Sequence, residues 1–300
     1  MTIDYDEYKK DGFLKQRQQD TYLVRFRSLA GNLTSDQLRQ LADLADEYGR
    51  GYVHITTRQG AEIPWVDEKN CAELRRDISQ KGLDTGASGP RIRTVVACPG
   101  IEVCRYGLMN SRAAALELDS AFFGRQVPIK TKISVTGCPN SCAKPQENDI
   151  GLAGAAEPLL DSDKCVGCGL CQKSCPNKAI SLVEDKPVME KARCLLCGRC
   201  ISACPKEALA VKRSGYTLYA GGKIGRKPRL GQVVARFIPE NEIVQAVESV
   251  LAAFETLAQK GERIADTLGR VGVRAFRTEM AVAKLETGQV EGQKAESEAG

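Results

Sequence analysis

Twelve of the thirteen cysteines in this 300-residue chain fall into three groups of four, and that grouping limits what the chain can fold into more than any other feature. Two of the groups are near copies. Cys165, Cys168, Cys171 and Cys175-Pro176 repeat as Cys194, Cys197, Cys200 and Cys204-Pro205, with Gly169 or Gly198 directly behind the second cysteine. The pattern is C-x2-C-x2-C-x3-C-P, written twice. Four soft thiolates at this spacing suit a 4Fe-4S cube. Zinc ligands come in pairs with longer gaps, and disulfides need an oxidising compartment. The spacing therefore predicts a redox protein.

In two-cluster ferredoxins of bacterial type, which this repeat resembles, the fourth cysteine of each run crosses to the other cube. Cys165, Cys168, Cys171 and Cys204 are then expected to hold one cluster, and Cys194, Cys197, Cys200 and Cys175 the other. The third group differs. Cys98 and Cys104 stand in ACPGIEVC, Cys138 and Cys142 in TGCPNSC. Two separated pairs, taken alone, suit a zinc ion as well as a cluster.

C-x5-C followed by C-x3-C resembles the signature of the siroheme-dependent nitrite and sulfite reductase family. The resemblance implies that Cys98, Cys104, Cys138 and Cys142 hold a third 4Fe-4S cluster. It also implies that Cys142 bridges this cluster to the siroheme iron, coupling a one-electron store to the metal that holds substrate. The sole histidine, His54, is the one imidazole on offer as an axial ligand. Its own surroundings favour a partly buried strand residue over a proton relay.

The same family resemblance extends to basic residues. Thr56-Thr57-Arg58-Gln59, GPRIRTVVAC with Arg93, and PIKTKISV with Lys130 and Lys132 are similar to the segments that set two arginines and two lysines over the siroheme. Arg93 rather than Arg91 is assigned, and Thr57 is expected to touch the macrocycle. An oxyanion needs fixed cations, and breaking its S–O or N–O bonds needs proton donors. Lys130 and Lys132 alternate on an apparent strand reaching Val135, as do His54, Thr56 and Arg58, so each set points to one face. Singly, such charges are ordinary at strand edges; four in register with the cysteines predict a convergent positive pocket.

Downstream, YTLYAGGKIGRKPRLG resembles the family's glycine-rich loop near the siroheme. Gly221 and Gly222 would let the backbone approach the macrocycle, and Lys223, Arg226, Lys227 or Arg229 would meet its carboxylates. As a charge run alone it equally suits a surface that receives an acidic electron donor. Cys71, the remaining cysteine, sits with Leu74 and Ile78 at helical spacing, which places it in a core.

The net charge of +5 and 5% aromatic content fit an anionic substrate and cofactor better than nucleic acid, for which no basic stripe or aromatic platform is present. No apolar run reaches 18 residues, and MTIDYDEY is no signal peptide, so neither membrane insertion nor export is expected. Clusters on reduced thiolates point to the cytoplasm.

Residues 1–20 read as a loosely held polar arm. Tyr22, Val24 and Phe26 then alternate with Leu23, Arg25 and Arg27 as a strand. A helix follows from Ser35 with Leu38, Leu41, Ala42 and Ala45 on one face, then a strand over Tyr52 to Thr57 and a helix from Asn70 to Gly82. The fold class expected is α+β. A ferredoxin-like half-domain (21–85) precedes a siroheme and 4Fe-4S domain (86–160 and 211–285), which the two-cluster ferredoxin module (161–210) interrupts. Cys104 is expected to open a helix through Leu118, and Asn241 to cap one whose buried face is Ile243, Val247, Val250, Leu251 and Phe254. KGERIADTLGRVGVRAF resembles the family's closing segment. The last residues, 286–300, are expected to be disordered.

What this resemblance implies is an oxidoreductase that reduces sulfite to sulfide by six electrons, using siroheme and three 4Fe-4S clusters. Nitrite reduction to ammonia and a non-catalytic electron-transfer subunit are the alternatives. No G-x-G-x-x-G or P-loop is present, which assigns any nicotinamide or flavin to a separate donor, a reductase subunit or a soluble ferredoxin. Larger family members carry two tandem copies of this unit and this chain carries one, which implies a homodimer with a site at or near its interface.

Overall fold

The computed structural model describes residues 4–280. The expected tail at 286–300 lies outside the described residues. Two compact units are formed, Met1–Cys98 with Arg112–Val135, and Pro99–Ser111 with Thr136–Gly300.

The first unit opens with helix α1 (Tyr5–Lys10) and strands β1 (Phe13–Lys15) and β2 (Thr21–Phe26). Helix α2 (Ser35–Tyr48), β3 (His54–Ile55), β4 (Ala61–Asp67) and α3 (Cys71–Gln80) follow. The strands form an antiparallel sheet in the order β1-β2-β4-β3. On β2 the expected alternation holds: Tyr22, Val24 and Phe26 are buried beneath Leu41, Leu44, Leu74 and Ile78. Each such side chain contributes about 1.5–3 kcal/mol when fully buried.

Several expectations are corrected here. The N-terminal residues are no loose arm: Phe13 is wholly buried, and Arg75 bonds Glu7 and Asp11. The buried face of α2 is Leu41, Leu44, Ala45 and Tyr48, so Leu38 and Ala42 face solvent. Strand β4 has no counterpart among the expected elements, and Pro64 lies in its middle. Its ladder with β2 shifts register between Tyr22 and Val24, opposite Pro64 and Trp65, and a bulge of this kind is where a strand tolerates proline.

Short strand β5 (Val96–Ala97), helix α4 (Ser111–Phe122) and strand β6 (Ile133–Thr136) follow. β5 and β6 pair in parallel, Val96 beside Ser134 and Ala97 beside Val135. The Ile92–Thr131 bridge extends the alignment, and the amide of Arg93 donates to the Thr131 carbonyl at 2.9 Å. Helix α4 begins at Ser111, not at Cys104, which lies beyond a 3-10 turn at Gly100–Glu102.

In the second unit, β7 (Ile150–Leu160) runs antiparallel to β10 (Leu209–Ala220), and β11 (Gln232–Ile238) pairs with β10 at the margin of the sheet. The ladder closes at Leu160 beside Leu209. From that end the chain leaves and returns as α5 (Leu170–Ser174), hairpin β8 (Ile180–Val183) and β9 (Lys186–Met189), and α6 (Arg199–Ser202). The repeat seen in the sequence recurs in space, since Gly169 and Gly198 both adopt left-handed conformations directly before α5 and α6.

Helices α7 (Ile243–Leu257), α8 (Ile264–Val271) and α9 (Val273–Glu279) complete the unit. α7 buries the expected Ile243, Val247, Val250, Leu251 and Phe254. A 3-10 turn over Glu240–Glu242 precedes it in place of an Asn241 cap. Among the described residues no helix is long and apolar enough to cross a membrane.

Candidate functional site

Within the first unit, β2, the β3–β4 turn and the paired segments around Arg93 and Thr131 surround a cavity of about 280 Å³. Arg25, Arg58, Arg93, Lys130 and Lys132 line it, with Ser28, Thr56 and Thr57. No carboxylate is among the lining residues, and neither is Arg91. The two lysines reach it from the segment before β6 rather than from a strand, since β6 begins at Ile133.

Each cation is held differently. The Arg58 guanidinium donates to the Thr94 carbonyl at 3.0 Å, and its amide to Thr56 Oγ1 at 3.3 Å. Arg93 donates to the carbonyls of Ala87 at 2.7 Å and Gly89 at 3.1 Å. Burial, reinforced by the neighbouring Arg25 charge, lowers the Arg93 pKa to about 10. A second like charge beside a desolvated guanidinium is unfavourable until an anion sits between them. Arg25 is itself bonded to the buried Glu62 at 2.6 Å.

Sequence reasoning missed Arg25 and the part played by Gln59. The alternation of β2 put Arg25 on the face away from the core, but only the folded sheet brings Arg93 to that face. Gln59, at φ +63°, bonds both polar groups of Ala97: Nε2 to the carbonyl at 2.7 Å, and the amide to Oε1 at 3.1 Å. It ties the basic turn to β5, whose next residue is Cys98. His54 is exposed, not partly buried as expected.

Cys98 closes the β5–β6 alignment, its amide donating to the Val135 carbonyl at 3.2 Å. In the second unit the Cys104 loop lies on the strand end before Cys138. The amides of Leu108 and Met109 donate to the Gly137 carbonyl at 2.8 and 3.1 Å. Cys138 is buried and Cys142 exposed.

The other eight cysteines line two separate cavities. Cys165, Cys168, Cys171 and Cys204 line one cavity; Cys175, Cys194, Cys197 and Cys200 line another. Burial pushes the Cys200 thiol up to about 12 and raises those of Cys171 and Cys194. At Cys204 the upward push of burial is outweighed by the backbone N–H groups of Leu209, Lys206 and Ala208. The Ala179 amide donates to Cys175 Sγ at 3.2 Å. Buried thiols with N–H donors aimed at sulfur suit thiolates held by metal. Among the described residues, no group of three His, Cys, Asp or Glu side chains gathers to hold a single ion.

The glycine-rich loop is anchored within its own unit. A Cβ on Gly222 would come within 2.3 Å of the Gln146 and Asn148 carbonyls, so the close approach requiring glycine there is to the turn after Cys142. Gly221, at φ +83°, donates to the Asp149 carbonyl at 2.9 Å. Lys223 is paired with Asp266, Arg229 donates to the Ala265 carbonyl, and Arg226 and Lys227 are exposed. Arg263 clamps the buried Asp149 through two bonds of 2.7 Å.

A family model described as the nitrite and sulphite reductase 4Fe-4S domain matches residues 88–287, and one for the nitrite/sulfite reductase ferredoxin-like half domain matches 14–81. The chain is 37% identical over 272 residues to the coenzyme F420-dependent sulfite reductase of Methanocaldococcus jannaschii, a match covering 90% of this chain and 44% of that protein. It is thus similar to less than half the length of that relative. A subunit of the anaerobic sulfite reductase of Salmonella typhimurium is 30% identical over 269 residues, 82% of this chain and 79% of that subunit. The solved structure of dissimilatory sulfite reductase I shares the fold, with a TM-score of 0.71 at 19% identity over 87% of this chain and 69% of that one. With matched domains over most of its length, the chain belongs to the nitrite and sulfite reductase family.

Proposed function

We propose that the chain is a siroheme-dependent sulfite reductase that converts sulfite to sulfide, fed through two ferredoxin-type clusters. The observation that carries the proposal is the cavity lined by five cationic side chains and no carboxylate. A dianion with three oxygens suits such a site, because fixed guanidinium and ammonium groups replace its hydration without reorganising. An electron carrier alone has no use for it.

Siroheme, when bound, supplies a Lewis-acidic, redox-active iron in conjugation with an electron reservoir. Cys142, exposed and flanked by the Gln146–Asn148 turn, is assigned as its thiolate ligand, and Cys98, Cys104 and Cys138 complete the adjoining 4Fe-4S set. Arg58 and Arg93 hold the substrate oxygens. Lys130 and Lys132 deliver protons as each oxygen leaves as water, in the balance sulfite plus six electrons and eight protons to hydrogen sulfide plus three waters. Thr57, Gly221, Gly222, Lys223 and Arg226 are assigned to the siroheme periphery. Because Lys223 is already paired with Asp266, Arg226 is the stronger candidate for a carboxylate contact.

The eight cysteines of residues 161–210 hold two further 4Fe-4S clusters in the crossed pattern. Their two cavities, each walled by four thiols, support this reading. The assembly we propose is a homodimer supplied by a separate electron-donor protein in the cytoplasm. Sulfite is favoured over nitrite because two relatives aligned over more than four-fifths of this chain are named as sulfite reductases. Anaerobic assays with reduced viologen and either anion provide the test. Sulfide formed at one per six electrons, with the higher kcat/KM for sulfite, is expected; a higher kcat/KM for nitrite would reassign the substrate.

A further inference from the structure

Beside the eight-cysteine segment lies a groove of about 660 Å³ that is separate from the cationic cavity. Its floor is apolar, formed by Leu159, Val233, Ala235 and Phe237 among others. It shares walls with both four-thiol cavities. Leu160 and Leu209 line the groove and the Cys165 cavity; Ile180, Met189 and Cys194 line the groove and the Cys194 cavity. An occupant of the groove would meet Cys194 directly and would be separated from the Cys165 set by Leu160 and Leu209.

The rim is predominantly basic. Lys191, Lys212, Arg213, Arg236 and Arg277 surround it, against a single acid, Glu157, which bonds Arg213 at 2.6 Å and lies 3.7 Å from Lys212. Lys191, Arg236 and Arg277 are not ion-paired among the described residues. One side of the groove is β11, the last strand of its sheet, where a partner strand or loop commonly docks. An apolar floor inside a basic rim is the complement of a protein with an apolar patch inside an acidic one.

We propose that this groove is where electrons arrive, and that its occupant is a small acidic iron–sulfur protein. The inference rests on reading the two four-thiol cavities as clusters. Each encounter passes one electron: the donor's reduced cluster is oxidised, and a cube behind the groove goes from its 2+ to its 1+ state. Six encounters supply one sulfite. The shared walls make the path short, and the rim steers the donor before contact.

The test uses holoprotein and, as probe, a reduced acidic plant-type 2Fe-2S ferredoxin, with cluster bleaching followed by stopped flow. Lys212→Glu combined with Arg236→Glu, both on exposed side chains, is expected to lower the second-order rate at least tenfold at low salt and to flatten its salt dependence. Reduction by dithionite and turnover with viologen should stay at parent values. The proposal is overturned if the variant accepts electrons from ferredoxin as fast as the parent, or if the parent accepts none. It is also overturned if the charge reversals change the molecular mass in solution, which would give the groove to a second copy of the chain. Parent protein without iron and labile sulfide would instead refute the cluster reading on which the inference rests.

Discussion

Arg93 shows how much of the site's chemistry rests on single side chains. Its guanidinium is fixed by two carbonyls and carries a pKa lowered to about 10 by burial and by Arg25. Lys130 is exposed and Lys132 half-buried, which would let the proposed proton donors regain protons from water. Lys130→Ala or Lys132→Ala is expected to slow sulfite turnover by about 100-fold, with siroheme per chain unchanged; full turnover in both variants would remove them from the reaction. Cys71 makes the opposite case. Burial, with lesser contributions from Glu68 and Asp67, pushes its thiol up from 9.0 to about 12. Its folded pKa exceeds the unfolded one, so its contribution to stability is complete below pH 9 and is lost as pH rises toward 12. At pH 8, alkylation mapped by mass spectrometry should spare Cys71 in native protein and modify it in urea; equal labelling in both would contradict its burial. The grouping of eight cysteines around two cavities was legible in the sequence because their spacing is local. Arg25 was not, because the residues that give it a role, Glu62 and Arg93, are distant in sequence.

Among the elements, the β3–β4 turn matters most. Thr56 Oγ1 accepts the amides of Arg58 and Gly60, and Gln59 spans both polar groups of Ala97. Gln59→Leu leaves an amide and a carbonyl of β5 unpaired, at a cost of about 1–3 kcal/mol for each. The expected outcome is a lower urea midpoint together with a raised KM for sulfite. A changed midpoint with KM untouched would confine Gln59 to structure. Elements with one strong local signal were legible, such as β2 through its alternation and α7 through its apolar face. Pro64 concealed β4, because proline argues against a strand unless the register shift beside it is known. On α2, sheet packing selected Leu44 and Tyr48 over Leu38 and Ala42, a rotation that apolar spacing alone does not settle.

At the scale of the whole molecule, the chain does not fold in sequence order, since Arg112–Val135 returns to the unit begun by the N-terminal residues. Segment order therefore gave the element classes better than it gave their grouping. The proposed homodimer is testable by complementation. If the site is shared between subunits, mixing inactive Arg58→Ala and Cys142→Ala proteins should restore one working site per hybrid dimer, about half the activity of a parent dimer. Inactive hybrids, with exchange verified by mass spectrometry, would assign each site to one chain. The central claim, siroheme coupled to clusters, is tested most directly by the absorption spectrum of anaerobically purified native protein with its tetrapyrrole extracted and its iron counted. The expected result is one siroheme per chain and about 13 iron atoms, twelve in three cubes and one in the macrocycle. Iron and labile sulfide with no siroheme, in protein shown not to have lost it, would contradict the claim and make the chain an electron-transfer subunit.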